Sequence, residues 1–196
     1  MKVSREQVAE NRKRILKSAS NLFREKGFES VGVDAVMKAA GMTHGAFYGY
    51  FSSKEELIGE ACAHGLAGAD NSWTAASDPL SALAGLYLAA DHCADVGDGC
   101  LFPALGSEVV RQSPDARRVL TDALRARVDT LAGLLPGSSP AAKREQAIAT
   151  WAGLIGALVL ARVVDDPALR REILTAGKAV FGASRRGKPK KKLQRP

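Results

Sequence analysis

Three histidines and three cysteines are the side chains here that could serve as nucleophile, base or metal ligand, and their spacing supports none of these chemistries. Cys62 and His64 are two apart on a predicted helix and so point to different faces. Cys62, Cys93 and Cys100 are odd in number and widely spaced, which argues against a disulfide framework and matches no zinc-site spacing. A Cys100/His92 nucleophile and base pair would span a loop with no evident third group to orient it. No glycine-rich phosphate loop precedes a helix, and no serine sits in a nucleophile elbow. The chain is therefore expected not to be an enzyme and to carry neither metal nor cofactor.

Phosphate and base recognition is the chemistry that the sequence does support, in the segment GFESVGVDAVMKAAGMTHGAFYGYFSSKEEL from Gly27 to Leu57. Val33, Val36, Met37 and Ala40 fall at i, i+3, i+4 and i+7, the buried face of a short helix. Gly41 then supplies a tight turn that tolerates positive φ, and the small Ala39 and Ala40 let the next helix cross closely. That is the layout of a helix-turn-helix, whose second helix enters the major groove. Thr43 is placed to cap this second helix, with Phe47 and Phe51 facing inward and Thr43, His44, Ala46, Tyr48 and Tyr50 left outside.

These residues resemble the amino-terminal pattern of the tetracycline-repressor (TetR) family of bacterial transcription regulators. The likeness runs through a long first helix (Arg12 to Lys26), the Gly27-Phe28 break, the short helix Val33 to Ala40, the Ala40-Gly41 turn and FYGYFSSKEEL from Phe47 to Leu57. It covers about the first 60 residues strongly and the remainder in architecture only. The resemblance implies phosphate positioning by Tyr48, Tyr50 and Lys54, and approach to base edges by Thr43, His44, Gly45 and Ala46. Two departures from the family stand out. Val31 and Gly32 stand where a capping Thr or Ser is usual, which reduces that phosphate contact to backbone N–H at Gly32 and Val33, and Gly49 stands where many members carry a larger residue.

The elements that must position this module read as all-α, about nine helices, because 3.6-residue stripes recur from Glu6 to Phe181 and no alternating β-branched runs appear. Residues 1–52 form the expected DNA-binding domain, 53–184 a helical ligand-binding and dimerisation domain, and 185–196 a basic tail. The net charge of +7 lies in that tail, which holds seven cations and no acid, while residues 1–184 balance at 21 against 21. Such a Gly/Pro/Lys segment builds no core and is expected to be disordered, either gathering phosphates or merely solubilising the chain. Arg5, Arg12, Lys13, Arg14 and Lys17 cluster on the first helix, approaching phosphates or forming an ordinary solvated face. The N-terminus lacks an apolar core segment, so no signal peptide is expected and the location is expected to be cytoplasmic.

Ser52 or Ser53 caps a helix weakened by Gly59, Gly65 and Gly68, either a hinge or a helix ending near Gly65. Beyond it, Ser77-Asp78-Pro79, Ser113-Pro114, Ser139-Pro140 and Asp166-Pro167 each open a helix. Ala94 to Gly99 reads as a loop, and Cys100 to Gln112 as one short helix with Pro103 in its first turn. The run AIATWAGLIGALVLARVV, Ala147 to Val164, is apolar nearly all round. A membrane span is one reading, but Thr150 and Arg162 interrupt it and no second apolar segment follows, so burial by the chain's own core and by a partner copy is preferred.

The resemblance implies a homodimer built from the last two helices, with Trp151, Ile155, Gly156, Val159, Ile173, Gly177 and Val180 at the interface. It also implies a pseudo-palindromic double-stranded operator, no membrane, and a repressor released by a small apolar or electrophilic effector. Tyr87, Cys100, Phe102, Leu105, Val109, Leu124 and Trp151 are the expected cavity lining. Some family members have a similar Gly-Cys pair opening the sixth helix, and a thiol at a helix N-terminus has a lowered pKa. Cys100 is thus either an electrophile sensor or a packed small hydrophobe. A non-specific architectural DNA-binding protein is the rival class, and it leaves the large apolar second domain without a purpose.

Overall fold

The computed structural model describes residues 4–68, 71–137 and 139–183, and the basic tail expected at 185–196 lies outside them. Among the described residues there are nine α-helices, three short 3₁₀ helices and no strand. Polar caps set most of the starts. Ser4 Oγ accepts from the Gln7 N–H to open α1, Arg5–Lys26, which Gly27 ends at φ 82°. α2, Val33–Ala39, leads into Gly41 at φ 72°, the positive-φ turn that its sequence position required.

α3, Lys54–Ala67, opens with a reciprocal cap. Ser53 Oγ accepts from the Glu56 N–H at 3.1 Å, and the Glu56 carboxylate takes the Ser52 N–H at 2.6 Å. The later helices α4 (Pro79–Tyr87), α7 (Pro114–Leu134), α8 (Pro140–Val163) and α9 (Pro167–Phe181) all begin with proline in the first turn behind Asp78, Ser113, Ser139 and Asp166, whose side chains accept backbone N–H groups. Between α4 and α7 lie two helices of one turn each, α5 (Ala90–Ala94) and α6 (Leu101–Leu105).

Two buried clusters organise these elements. The first joins Ile15, Ala19 and Phe23 of α1, Val36 and Met37 of α2, Phe47 and Phe51 to Leu57 and Ile58 of α3 and to Leu101, Leu105 and Leu120 beyond. The second gathers Trp73, Leu83, Tyr87, Val128, Leu131, Trp151, Leu154, Leu158 and Leu174. α7 gives its first half to one cluster and its second half to the other, so it ties the two together.

The expected single helix from Cys100 to Gln112 is broken. α6 stops at Leu105, and only a 3₁₀ turn at Val109–Arg111 follows. The break aims Glu108 backward, where its carboxylate accepts the Phe28 N–H at 2.9 Å just past α1. α3 likewise does not end at Gly65 but runs on to Ala67, and a side chain at position 65 would collide with Ser20 and Arg24 of α1. Gly65 is a spacer for a close helix crossing.

α8 is long and apolar enough by composition to cross a membrane. In this fold Ala147, Trp151, Leu154, Leu158 and Ala161 are buried against its neighbours, and Arg162 donates to the Cys93 and His92 carbonyls at 3.1 and 2.9 Å.

Candidate nucleic-acid interface and internal cavity

The outer face of the first cluster is built by His44–Gly49, which forms a 3₁₀ helix. Gly45 and Gly49 weaken an α-helix here, each by about 1 kcal/mol relative to alanine. Phe47 is buried and stacks on Phe51 at 5.7 Å between centroids, which fixes the segment to the core. Tyr48 points away and is 71% exposed. Thr43, His44 and Gly45 are exposed beside it, and Lys54 follows as the first residue of α3. Tyr50 is half-buried, with its hydroxyl accepting from Asn11 Nδ2 at 3.0 Å, so this ring is oriented by α1.

His44 Nδ1 pairs with the Asp34 carboxylate of α2. The contact links both helices of the motif, and Asp34 is a participant that sequence reasoning missed, although ten residues before a histidine across a tight turn is a spacing that invites it. Two cations of the α1 cluster are committed elsewhere. Arg14 Nη2 donates to the Ala40 carbonyl at 2.5 Å, closing the end of α2. Arg12 forks onto Glu60 of α3 and lies over the Phe51 ring at 4.7 Å, and its hydrogen bond to Glu60 raises its pKa further. Arg5, Lys13 and Lys17 remain exposed.

A second set of contacts binds α1 to the loop before α6. Arg24 is only 7% exposed. Its Nε donates to the Gly97 carbonyl at 2.5 Å, Nη1 to Ser20 Oγ at 3.0 Å and Nη2 to Asn21 Oδ1 at 2.9 Å. Burial lowers its pKa, and the nearby Asp98 partly offsets that. Asn21 in turn donates to Asp98 at 3.0 Å.

That loop walls a cavity of about 330 Å³ in the second half of the molecule. Trp73, Leu83 and Trp151 supply apolar surface, Leu86 stands half-exposed at its edge, and Tyr87, His92, Cys100 and Arg127 supply polar groups. Trp73 and Tyr87 meet Trp151 edge to face, at 6.4 and 5.7 Å between centroids. His92 Nδ1 lies 2.6 Å from the Tyr87 carbonyl, and Nε2 accepts the Cys100 N–H at 3.0 Å. With Nδ1–H donating and Nε2 occupied, the imidazole holds the Cys100 backbone and has no lone pair left to act as a base.

A family model described as bacterial regulatory proteins of the tetR family matches residues 15–61, the stretch that carries this geometry. Two HTH-type transcriptional regulators of Bacillus subtilis are similar in sequence. YdgC is 47% identical over 51 residues, 26% of each chain, and YfiR is 33% identical over 127 residues, 59% of this chain and 62% of its own. The matched segments thus span less than two thirds of those relatives. The reduced form of NemR from E. coli has the same fold, with a TM-score of 0.71, 23% identity, and coverage of 89% of this chain and 99% of its own.

Residues 15–61 match the TetR family's amino-terminal module, and the chain as a whole has the fold of TetR-family structures.

Within this TetR-family fold, Thr43, His44, Gly45 and Tyr48 are exposed, Lys54 and Ala46 are half-buried, and Val33 packs partly against the core. Gly32 precedes α2 without a side-chain cap, leaving backbone N–H groups as the only donors there. Of the expected cavity lining, Tyr87, Cys100 and Trp151 are on the wall. Leu105 and Val109 are instead buried in the first cluster, because the break after α6 turns them toward α1. Phe102 packs beside that cluster under the Arg127 guanidinium at 5.3 Å, and Leu124 is 38% exposed on the outer side of α7.

The sequence missed Trp73 and Arg127. Arg127 interrupts the stripe Leu120, Leu124, Leu131, and a cation in an apolar stripe was the available signal. Cys100 is the N-cap of α6, a helix of five residues, and makes no side-chain cap bond. Cys62 is buried, which pushes its thiol up to about 12, and Cys93 is buried too.

The expected dimer residues also divide. Trp151 belongs to the interior, where its indole N–H donates to the Arg127 carbonyl at 3.1 Å, and Gly177 is buried against Leu88 and Ala157. Neither is available to a partner. Ile155, Gly156, Val159 and Ile173 are half-exposed and Val180 is 66% exposed.

Proposed function

We propose that this protein is a homodimeric, DNA-binding transcription regulator, a repressor that leaves a pseudo-palindromic operator when a small molecule occupies the cavity. The observation that carries the reading is the face at residues 43–54, where an exposed tyrosine, a histidine and a helix-opening lysine stand on a rigid aromatic base. Tyr48, Tyr50 and Lys54 position phosphates in this account, and Thr43, His44 and Gly45 approach base edges.

The route from cavity to DNA face runs through the loop at residues 95–99. Gly99, Cys100 and Leu101 line the cavity, and two residues earlier Gly97 receives Arg24 of α1. A ligand that displaces this loop moves α1, and with it the Asn11 contact that orients Tyr50. The exposed Leu160, Val163, Leu169 and Val180 on α8 and α9, in line with Gly156 and Ile173, support pairing of two copies there.

Lys54→Ala is expected to weaken binding to all duplexes alike and to lower the salt slope by about one. His44→Ala is expected to change base preference with the slope unchanged. A salt titration on operator and random duplex separates the two, and wild-type behaviour from both variants would remove the proposed face from DNA binding.

A further inference from the structure

The polar groups around the cavity form an unbalanced set. Tyr87 is buried at 8% exposure, and its hydroxyl has no partner better than a weak contact with the Cys100 thiol. Burial raises the phenol's pKa far above its ordinary value, the Cys100 thiol adds to this, and the positive Arg127 and Arg162 act against it. The phenol therefore stays protonated at working pH and is a donor whose one neighbour, a thiol, is a weak acceptor.

Arg127 is the second unmatched donor. Its guanidinium makes no ion pair among the described residues and rests over the Phe102 ring. Arg162, behind the wall, is the third: two of its nitrogens bond loop carbonyls, while its buried Nη1 has no partner. The acceptor nitrogen of His92 is taken by the Cys100 N–H. Among the described residues the wall carboxylate is Asp98, which is engaged by Asn21 and lies in the field of Arg24. What the described wall lacks is a free acceptor carrying negative charge. Its apolar part is edge-to-face aromatic, and about 330 Å³ is the small end of ligand cavities, sized for a ring with a short substituent.

We propose that the cavity takes a small aromatic monocarboxylic acid, its ring against Trp73 and Trp151 and its carboxylate received by the Arg127 guanidinium and the Tyr87 hydroxyl. The inference rests on the effector reading of this cavity and adds the chemical class of the ligand. A carboxylate matches a guanidinium fork, whereas a neutral amide of the same shape leaves the cation unpaired.

The test is calorimetry on the full chain with trans-cinnamate and 1-naphthoate against cinnamamide and 1-naphthamide. Quenching of the chain's two tryptophans, both on the wall, gives a second readout. The acids are expected to bind about tenfold more tightly than the amides. Arg127→Gln should abolish that preference while the amides still bind, and Tyr87→Phe should weaken the acids several-fold. Arg127→Lys, which keeps charge without the fork, should retain part of the preference if Arg127→Gln does not fold.

Equal affinity of acids and amides would overturn the proposal. So would a preference that survives Arg127→Gln or is undiminished in Arg127→Lys, or failure of either acid to saturate the site at concentrations on the order of 10 mM. Operator binding separates this from the underlying reading. Acids that bind with the expected preference yet leave operator binding intact support the ligand class and refute the effector role. A neutral compound that fills the cavity and releases DNA where the acids do not bind refutes the class alone.

Discussion

Arg24→Ala is expected to lower the melting temperature by roughly 6–12 °C, from a loss of about 3 kcal/mol in a chain of this size. The guanidinium is buried and spends its donors on the Gly97 carbonyl, Ser20 and Asn21, so truncation strands an acceptor on the loop and empties a pocket under α3. An unpaired buried acceptor costs more than the net worth of the bond it loses. Arg24→Lys keeps the charge but cannot make three divergent hydrogen bonds, and is expected to recover only part of the loss. Thermal unfolding by circular dichroism reads the effect. A shift below about 2 °C for Arg24→Ala would mean that this contact does not hold α1 to the loop.

The second large effect is on assembly. Gly156→Trp is expected to convert a dimer to a monomer by sedimentation while the chain remains folded. A Cβ at Gly156 meets nothing within 4 Å, so the bulk projects away from the protomer's own packing. Gly153 on the same helix is the opposite case, since a Cβ there runs into the Phe181 ring of α9. Gly153→Ala should therefore cost stability whether or not the chain dimerises. A wild-type monomer at micromolar concentration would end the dimer proposal.

What the sequence revealed and what it hid follow from the range of the interactions involved. Helix starts were legible because a polar cap and a first-turn proline act within three or four residues, as at Ser113-Pro114 and Ser139-Pro140. The helix-turn-helix was legible for the same reason, with Gly41 at positive φ where the turn demanded it. The 3₁₀ geometry of His44–Gly49 was less so, because the inward placement of Phe47 and Phe51 looks alike in either helix type.

The break after Leu105 is a long-range effect. Glu108 finds its partner 80 residues earlier, at the Phe28 N–H, and no local pattern encodes that. The cavity was harder still. Trp73 lies on a four-residue 3₁₀ helix that carries no periodicity, and it meets Trp151 only when α8 is in place. Leu124 and Val109 had the right chemistry for a lining, but the rotation of α7 and the turn after α6 point them elsewhere.

The claim on which the account depends is that two copies of the face at residues 43–54 read one duplex. Selection of bound sequences from a random duplex library tests it most directly. The expected result is an inverted repeat whose half-sites lie roughly one helical turn, about 10 base pairs, or somewhat more apart. Release of the selected duplexes at the same salt concentration, whatever their sequence, with no repeat enriched, would contradict it.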